Sequence, residues 1–346
     1  MKELLQASKD ERGQYFREAA ARSKIISNRL IIEKDFWVCW TLDRIFSNDK
    51  LSNHVIFKGG TSLSKCYGMI DRFSEDIDLT LSKEYIGINS DNDPANATSR
   101  SQRDNRLQQL TTQFEEKIYN EIKPMLLEYF KKHLSEYFSD TEWKLEPEKD
   151  DKGNLSLFFY YPATIENSGE DYIESAVKLE FGARGDINPC EKKMICPYVQ
   201  ELLPALFESP PEITVTALTA KRTFWEKVTL LHAEYHRDPS KPINTRMFRH
   251  YYDVVMLDKH NLTKDALQDD GLLKDVVRNK STYFPSNKAK YDEAVIGSLR
   301  LYPNDAFIDQ LRQDHAKMSI MFFGEAPDFD ETIQKIKTIE SVINKR

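Results

Sequence analysis

Lys58-Gly59-Gly60-Thr61-Ser62-Leu63-Ser64-Lys65-Cys66-Tyr67-Gly68-Met69-Ile70-Asp71-Arg72-Phe73-Ser74-Glu75-Asp76-Ile77-Asp78-Leu79 sets a glycine loop a short helix ahead of two aspartates one residue apart. The apolar run His54 to Phe57 before it reads as a buried strand. Gly59 and Gly60 let backbone N–H groups approach a phosphate closely, and Thr61, Ser62 and the helix they open add hydroxyls and a positive dipole end. In Ser74 to Leu81 the two-residue strand period sends Asp76 and Asp78 to one face and Ile77, Leu79 and Leu81 to the other. Two such acids repel each other, so the pattern implies a divalent cation or surrounding cations. Mg²⁺ suits carboxylate and triphosphate oxygens, and two ions can steady both oxygens of an in-line displacement. An Asp-x-Asp by itself is better explained by a solvated strand end or turn; the loop on the neighbouring strand is what points to nucleotidyl transfer.

The stretch resembles the first motif of the DNA polymerase β-like nucleotidyltransferase superfamily, and more narrowly the AbiEii/AbiGii toxin family, in its Lys-Gly-Gly-Thr-x-Leu and Arg-Phe-Ser-x-Asp-Ile-Asp-Leu. Glu33-Lys34-Asp35-Phe36-Trp37 is similar to a family helix ahead of the loop. Glu226-Lys227 and Arg249-His250-Tyr251-Tyr252-Asp253 resemble its later helices, with His250 where an aspartate is usual. The matched motifs run from about Glu33 to Asp253.

The resemblance implies a third carboxylate on a strand beside the Asp-x-Asp. In Tyr172 to Gly182, the last clear strand, Lys178 and Glu180 share the polar face, so Glu180 is the candidate metal ligand or general base and Lys178 a nucleotide contact. A Lys/Glu pair on a solvated strand explains them equally. The resemblance also makes Lys227 a phosphate contact, Asp253 its orienting partner and Arg249 a second phosphate contact. The competing reading of Arg249 and Asp253 is an i, i+4 salt bridge. Arg184 and Asp186 are weaker candidates.

At 346 residues the chain is long enough for two domains, and its formal charge of −7 argues against wholesale wrapping of nucleic acid. No apolar run approaches membrane-spanning length and the start lacks a signal-peptide core, so the expectation is a cytoplasmic protein with no membrane partner. Cys39, Cys66, Cys190 and Cys196 lack metal-binding spacing and read as reduced thiols. Residues 10 to 46 read as helical, with Glu33, Lys34 and Asp35 either a solvated or capping cluster or part of the site's rim. Residues 89 to 106, polar and small, read as a mobile loop, either a surface insertion or a lid. Residues 107 to 138 read as helical with a break near Pro124, and 143 to 160 as a hairpin.

The expected fold is α/β (α+β): a mixed nucleotidyltransferase sheet in residues 1–211, with N-terminal helices and a helical and loop insertion at about 88–140, followed by a helical domain over 212–346. The expected site comprises Asp76, Asp78, Glu180, Lys227 and Asp253 as catalytic groups. Lys58, Gly59, Gly60, Thr61, Ser62, Lys178 and Arg249 hold the nucleotide, and two Mg²⁺ sit on Asp76, Asp78 and Glu180. The expected activity is that of a toxin moving a nucleoside monophosphate from an NTP to the 3′ end of tRNA, with an antitoxin encoded next to it. Lys58, Lys65, Arg72, Lys178, Arg184, Lys221, Arg222, Lys227, Arg246 and Arg249 are read together as one basic cleft mouth. The rival readings are a protein or small-molecule acceptor, and a non-catalytic nucleotide-binding protein.

Overall fold

The structure, a computed structural model, describes residues 1–151, 153–165, 174–210 and 212–345. Three helices, α1 (Lys2–Gln6), α2 (Lys9–Arg22) and α3 (Arg29–Phe46), lead into β1 (Val55–Lys58), α4 (Gly59–Lys65) and β2 (Ile77–Leu81). After α5 (Lys83–Ile86) come α6 (Arg100–Lys117) and α7 (Lys123–Leu134), then β3 (Lys144–Lys149), β4 (Leu155–Tyr160), β5 (Ala176–Gly182), β6 (Cys190–Ile195), α8 (Tyr198–Leu202) and β7 (Ile213–Leu218). Helices α9 (Ala220–Tyr235), α10 (Phe248–Lys259), α11 (Leu262–Ala266), α12 (Asp270–Tyr283), α13 (Ile308–Lys317) and α14 (Phe329–Asn344) complete the chain.

Among the described residues seven strands form one mixed sheet in the order β3-β4-β5-β2-β1-β7-β6. β1 runs antiparallel to β2 and parallel to β7, while β2 runs parallel to β5, so the two motif strands occupy the middle of the sheet. Central strands bury both faces, which is why Ile77, Leu79 and Leu81 are fully buried. Helix α3 packs on β5 and β7, and its Trp37 and Trp40 join Phe130 and Phe159 in an aromatic cluster with centroids 5.0–5.9 Å apart. A second core gathers α9, α10, α12 and α14 around Trp225, Phe248 and Ile336, and takes in Leu63 of α4. No helix among the described residues is long and apolar enough to cross a membrane. The four cysteines are free.

Three expectations change. The strand at 172–182 is not the last: β6 and β7 follow it, and β7 begins just past the boundary expected at 211, so the sheet crosses that boundary. Ile213, Val215 and Ala217 alternate with Thr214 and Thr216 as a half-buried strand should; the helical composition that follows masked this period. The polar stretch 89–106 is not one loop either. Ser99 accepts from the Gln102 N–H and caps α6, so residues 100–106 are its first turns. Ahead of the cap, Asn92 and Asn96 side chains bond back to the carbonyls of Gly87 and Ser90 at 3.1 and 3.0 Å, and Asp93 bonds to Lys83 and Tyr283. The break near Pro124 is present as a π-helical turn, Ile118–Ile122, which places Pro124 in the first turn of α7, where its missing N–H costs least. The part of the expected strand at 172–173 lies outside the described residues.

Candidate active site

β1 delivers the chain to Gly59, whose φ of +79° is one that side chains rarely adopt. A Cβ there would stand 1.9 Å from Oδ2 of Asp78, and one on Gly60 would stand 2.7 Å from both Arg72 Nη2 and Ser74 Oγ. The glycines therefore let the turn lie directly against the acid strand. Gly59→Ala is expected to impose about 1–2 kcal/mol of backbone strain and to displace the Asp78 carboxylate. A thermal melt read alongside a transfer assay checks it; unchanged transfer would remove the close approach from the argument.

The helix opens at Gly59 rather than at Ser62, and the two hydroxyls turn inward. Thr61 Oγ1 donates to the Asp76 carbonyl at 2.5 Å, and Ser62 Oγ to the Gly59 carbonyl at 3.0 Å. Both residues are buried and neither lines the cavity: Thr61 latches the helix to the acid strand and Ser62 closes back on the loop, where a contact with phosphate was the expectation.

That cavity, of about 420 Å³, is walled by Lys58, Gly59, Gly60, Asp76 and Asp78 on one side and by α9, α10 and α12 on the other. Asp78 sits between Lys58 on β1 and Glu180 on β5, its direct neighbours in the sheet. Burial, then Glu180 and Asp76, push its carboxyl up to about 7 against the pull of Lys58 and Arg249. Asp76 is raised as well, by burial, then Glu75 and Glu180. The acids thus share a face and feel each other as the spacing predicts. Glu180 is drawn onto Lys178 as an ion pair, and neither lines the cavity. Among the described residues no three His, Cys, Asp or Glu side chains are gathered tightly enough to hold a metal ion as they stand. The donor set still suits Mg²⁺, which takes one or two carboxylates and fills its remaining positions with water and phosphate oxygens. Asp76 and Asp78 would hold it, and Glu180 could join only by leaving Lys178.

The opposite wall is a buried ion network. Asp253, fully buried, takes a two-pronged bond from Arg72 at 2.8 and 2.8 Å and a third from Lys227 at 2.8 Å. Despite burial, Arg72 and then Lys227 hold its carboxyl far below the usual range. Burial lowers the basicity of Lys227, with Asp253 opposing and Arg72 adding to the fall. Arg72 and Lys227 line the cavity and Asp253 does not; Asp253 lies behind them and holds Lys227 in place. Arg249 and Asp253 do not form the i, i+4 bridge: Asp253 is taken, and Arg249 lines the cavity without an ion pair among the described residues. Glu226 lines it beside Lys227, and Gly185 stands between Arg184 and Asp186, which do not.

Two further residues line the cavity, Lys280, which no sequence motif marks, and His250, which lies in the Arg249–Asp253 motif without an assigned role. Lys280 of α12 projects into the cavity, its Nζ bonded to the Glu226 carbonyl at 2.7 Å. Burial first, then Lys58 and Lys227, bring it down to about 8, with Glu226 opposing. His250 also lines the cavity; its Nδ1 is buried without a hydrogen-bond partner among the described residues, and burial, then Lys227 and Arg249, keep the ring neutral at ordinary pH. The Glu33-Lys34-Asp35 cluster is neither solvated nor at the rim. Glu33 accepts from Thr164 N and Oγ1 at 2.7 and 2.7 Å, and Asp35 pairs with Lys65 at 2.8 Å. Lys34 pairs at 2.7 Å with Glu75, which Arg246 holds from the other side at 2.7 Å, fixing the residue before Asp76.

The expected basic mouth is largely spent in such contacts. Lys65 and Arg72 are buried in pairs, Arg222 is buried 3.4 and 3.5 Å from Asp186 and Glu226, Arg184 bonds Thr111, and Lys178 is on Glu180. Lys58, Arg72, Lys227, Arg249 and Lys280 line the cavity, Arg72 and Lys227 while paired with Asp253.

The family model for nucleotidyl transferase AbiEii toxins of type IV TA systems matches residues 40–335. The chain belongs to the AbiEii nucleotidyltransferase toxin family. The AbiEii match takes in the glycine loop, both acids and α9 to α12, and the resemblance read from the Lys58–Leu79 stretch is borne out by it. A comparison with curated protein sequences finds no match. Among solved structures the chain is similar to MenT4, a nucleotidyltransferase toxin from Mycobacterium tuberculosis H37Rv, at 14% identity and a TM-score of 0.39, covering 97% of this chain and 99% of that one.

Proposed function

We propose that the cavity binds a nucleoside triphosphate with Mg²⁺ and that the chain transfers the nucleoside monophosphate to an RNA 3′ end, that of tRNA, as the cytoplasmic toxin of a pair whose antitoxin neutralises it. The observation that carries the reading is the Gly59-Gly60 turn lying against two mutually repelling acids in a cavity whose far wall is cationic. The free N–H groups of the turn, with Lys58, Lys227 and Arg249, grip the β- and γ-phosphates and hold the α-phosphorus over Asp76 and Asp78. The acceptor hydroxyl oxygen attacks that phosphorus in line, its proton passing to Glu180 once that carboxylate is released from Lys178. The bond to the bridging oxygen breaks, and pyrophosphate leaves with the electron pair. Bound Mg²⁺ would supply charge neutralisation at the transferring phosphoryl group.

One observation favours a second reading, a protein or small-molecule acceptor: the burial of the Lys65 and Arg222 side chains beside acids leaves less positive surface for an RNA end than the sequence suggests. The test incubates the protein with each α-labelled NTP, Mg²⁺ and total cell extract. Label in tRNA-sized RNA, suppressed by rising salt and destroyed by ribonuclease, is the expected result. Ribonuclease-resistant label in protein bands supports the second reading, and nucleotide bound but never consumed ends the catalytic one.

A further inference from the structure

Helix α9 turns one continuous face to the cavity, from Thr223 to Glu234, a span of about 16 Å at the helical rise per residue. Its chemistry changes along that length. At the start Lys227 stands in the field of Arg72 and Arg249, and Glu226 holds Lys280 through its carbonyl. Two turns on, the wall is Leu230 and Ala233, faced by Val276 and Phe284 from the α12 side and by Tyr291, with Glu234 the carboxylate among them. The charged end has the groups to hold phosphates. The other is apolar and aromatic, with the Glu234 carboxylate and the Tyr291 hydroxyl as its polar groups, the composition of a site for a flat heterocycle. Phe284 is 43% exposed there, an open ring face at the rim.

Glu234 is held ready. Arg237 grips its two oxygens at 2.5 and 2.8 Å, which fixes its rotamer, and burial first and then the nearby Glu234 carboxylate raise the pKa of the Tyr291 phenol. An ionised carboxylate accepts hydrogen bonds and donates none. Cytosine, adenine and guanine each offer an exocyclic amine to it. Uracil offers a single ring N–H flanked by two carbonyl oxygens, which the carboxylate repels.

We propose that the Leu230-Ala233-Val276-Phe284-Tyr291 end of the cavity is the nucleobase subsite and that Glu234 is its specificity residue, selecting amino-bearing bases against uracil. The inference rests on the reading of the cavity as a nucleoside triphosphate site, and its test separates the two. Wild-type protein with Mg²⁺ is titrated calorimetrically with ATP, CTP, GTP, UTP and inorganic tripolyphosphate. UTP should bind about tenfold more weakly than the best amino-bearing nucleotide, the worth of one hydrogen bond to a charged group. Glu234→Gln, whose amide can also donate, should close that gap. Ala233→Phe, which fills the subsite, should weaken every nucleotide and leave tripolyphosphate unchanged. Equal binding of all four bases with no response to Glu234→Gln, or nucleotides that bind no better than tripolyphosphate and ignore Ala233→Phe, would overturn the subsite while leaving the phosphate site standing. The latter result would follow if this end held the acceptor's terminal base. Failure of both nucleotides and tripolyphosphate to bind would overturn both.

Discussion

Asp78→Asn is expected to reduce nucleotide transfer about a thousandfold or more while making the metal-free protein harder to unfold at neutral pH. The loss follows from removing half of the carboxylate pair that would hold the metal: charge stabilisation of several kcal/mol at the transferring phosphoryl corresponds, at about 1.4 kcal/mol per tenfold, to that factor. The gain follows from proton linkage. The Asp78 carboxyl is raised from an ordinary 3.8 to about 7 in the folded chain, chiefly by burial and then by Glu180 and Asp76. Between those values the folded state binds more protons than the unfolded one, so this group's contribution to stability falls as pH rises through the window. Asparagine cannot ionise and escapes the fall. Thermal melts in chelator should show wild type and variant converging near the low end of the window and separating at about pH 7.5, with the variant higher. Adding Mg²⁺ should then raise the wild-type midpoint and leave the variant's unmoved, because only a ligand bound by the folded state stabilises it. Asp76→Asn should follow the same pattern. A variant that melts lower than wild type in chelator, or transfers at the wild-type rate, would end the assignment of these acids to a metal.

What could be read from the sequence was local. The loop and the acids lie within one strand-helix-strand unit, so their spacing carries their geometry: Gly59 must be glycine because Asp78 is beside it, and Asp76 and Asp78 must share a face because strands repeat every two residues. The hairpin of β3 and β4 was legible for the same reason. What was not legible depends on partners far along the chain. Nothing near Thr61 or Ser62 shows that their hydroxyls turn back to main-chain carbonyls, and Lys34 gives no sign that it will meet Glu75, 41 residues on. Lys280 lies on a helix without a motif and enters the site only because α12 packs on α9. The basic mouth failed as an expectation because counting cations near a motif ignores how many of them burial requires to be paired, as Lys65 and Arg72 are.

Asp253→Ala should be the most damaging single change to the fold outside the apolar core. It leaves Arg72, 2% exposed, and Lys227, 7% exposed, as two neighbouring buried cations with no anion between them. Removing one partner of a buried ion pair costs about 3–5 kcal/mol, a large part of the roughly 5–15 kcal/mol that holds a domain together. The damage reaches the site through Arg72. That residue bridges to Phe322 beside a segment in which Phe73 N–H donates to the Met321 carbonyl at 2.7 Å, so a displaced Arg72 loosens the run leading into Asp76. Lys227→Met makes the informative contrast. It leaves Asp253 on both prongs of Arg72, so its buried charge stays compensated and the midpoint should fall far less, yet the ammonium facing the cavity is gone and transfer should fall steeply. Denaturant titration of both variants beside the labelling assay separates the roles. If Asp253→Ala unfolds at the wild-type midpoint, the network does not hold the helices to the acid strand. If Lys227→Met unfolds as early as Asp253→Ala, the lysine belongs to the scaffold and its place at the phosphates is lost.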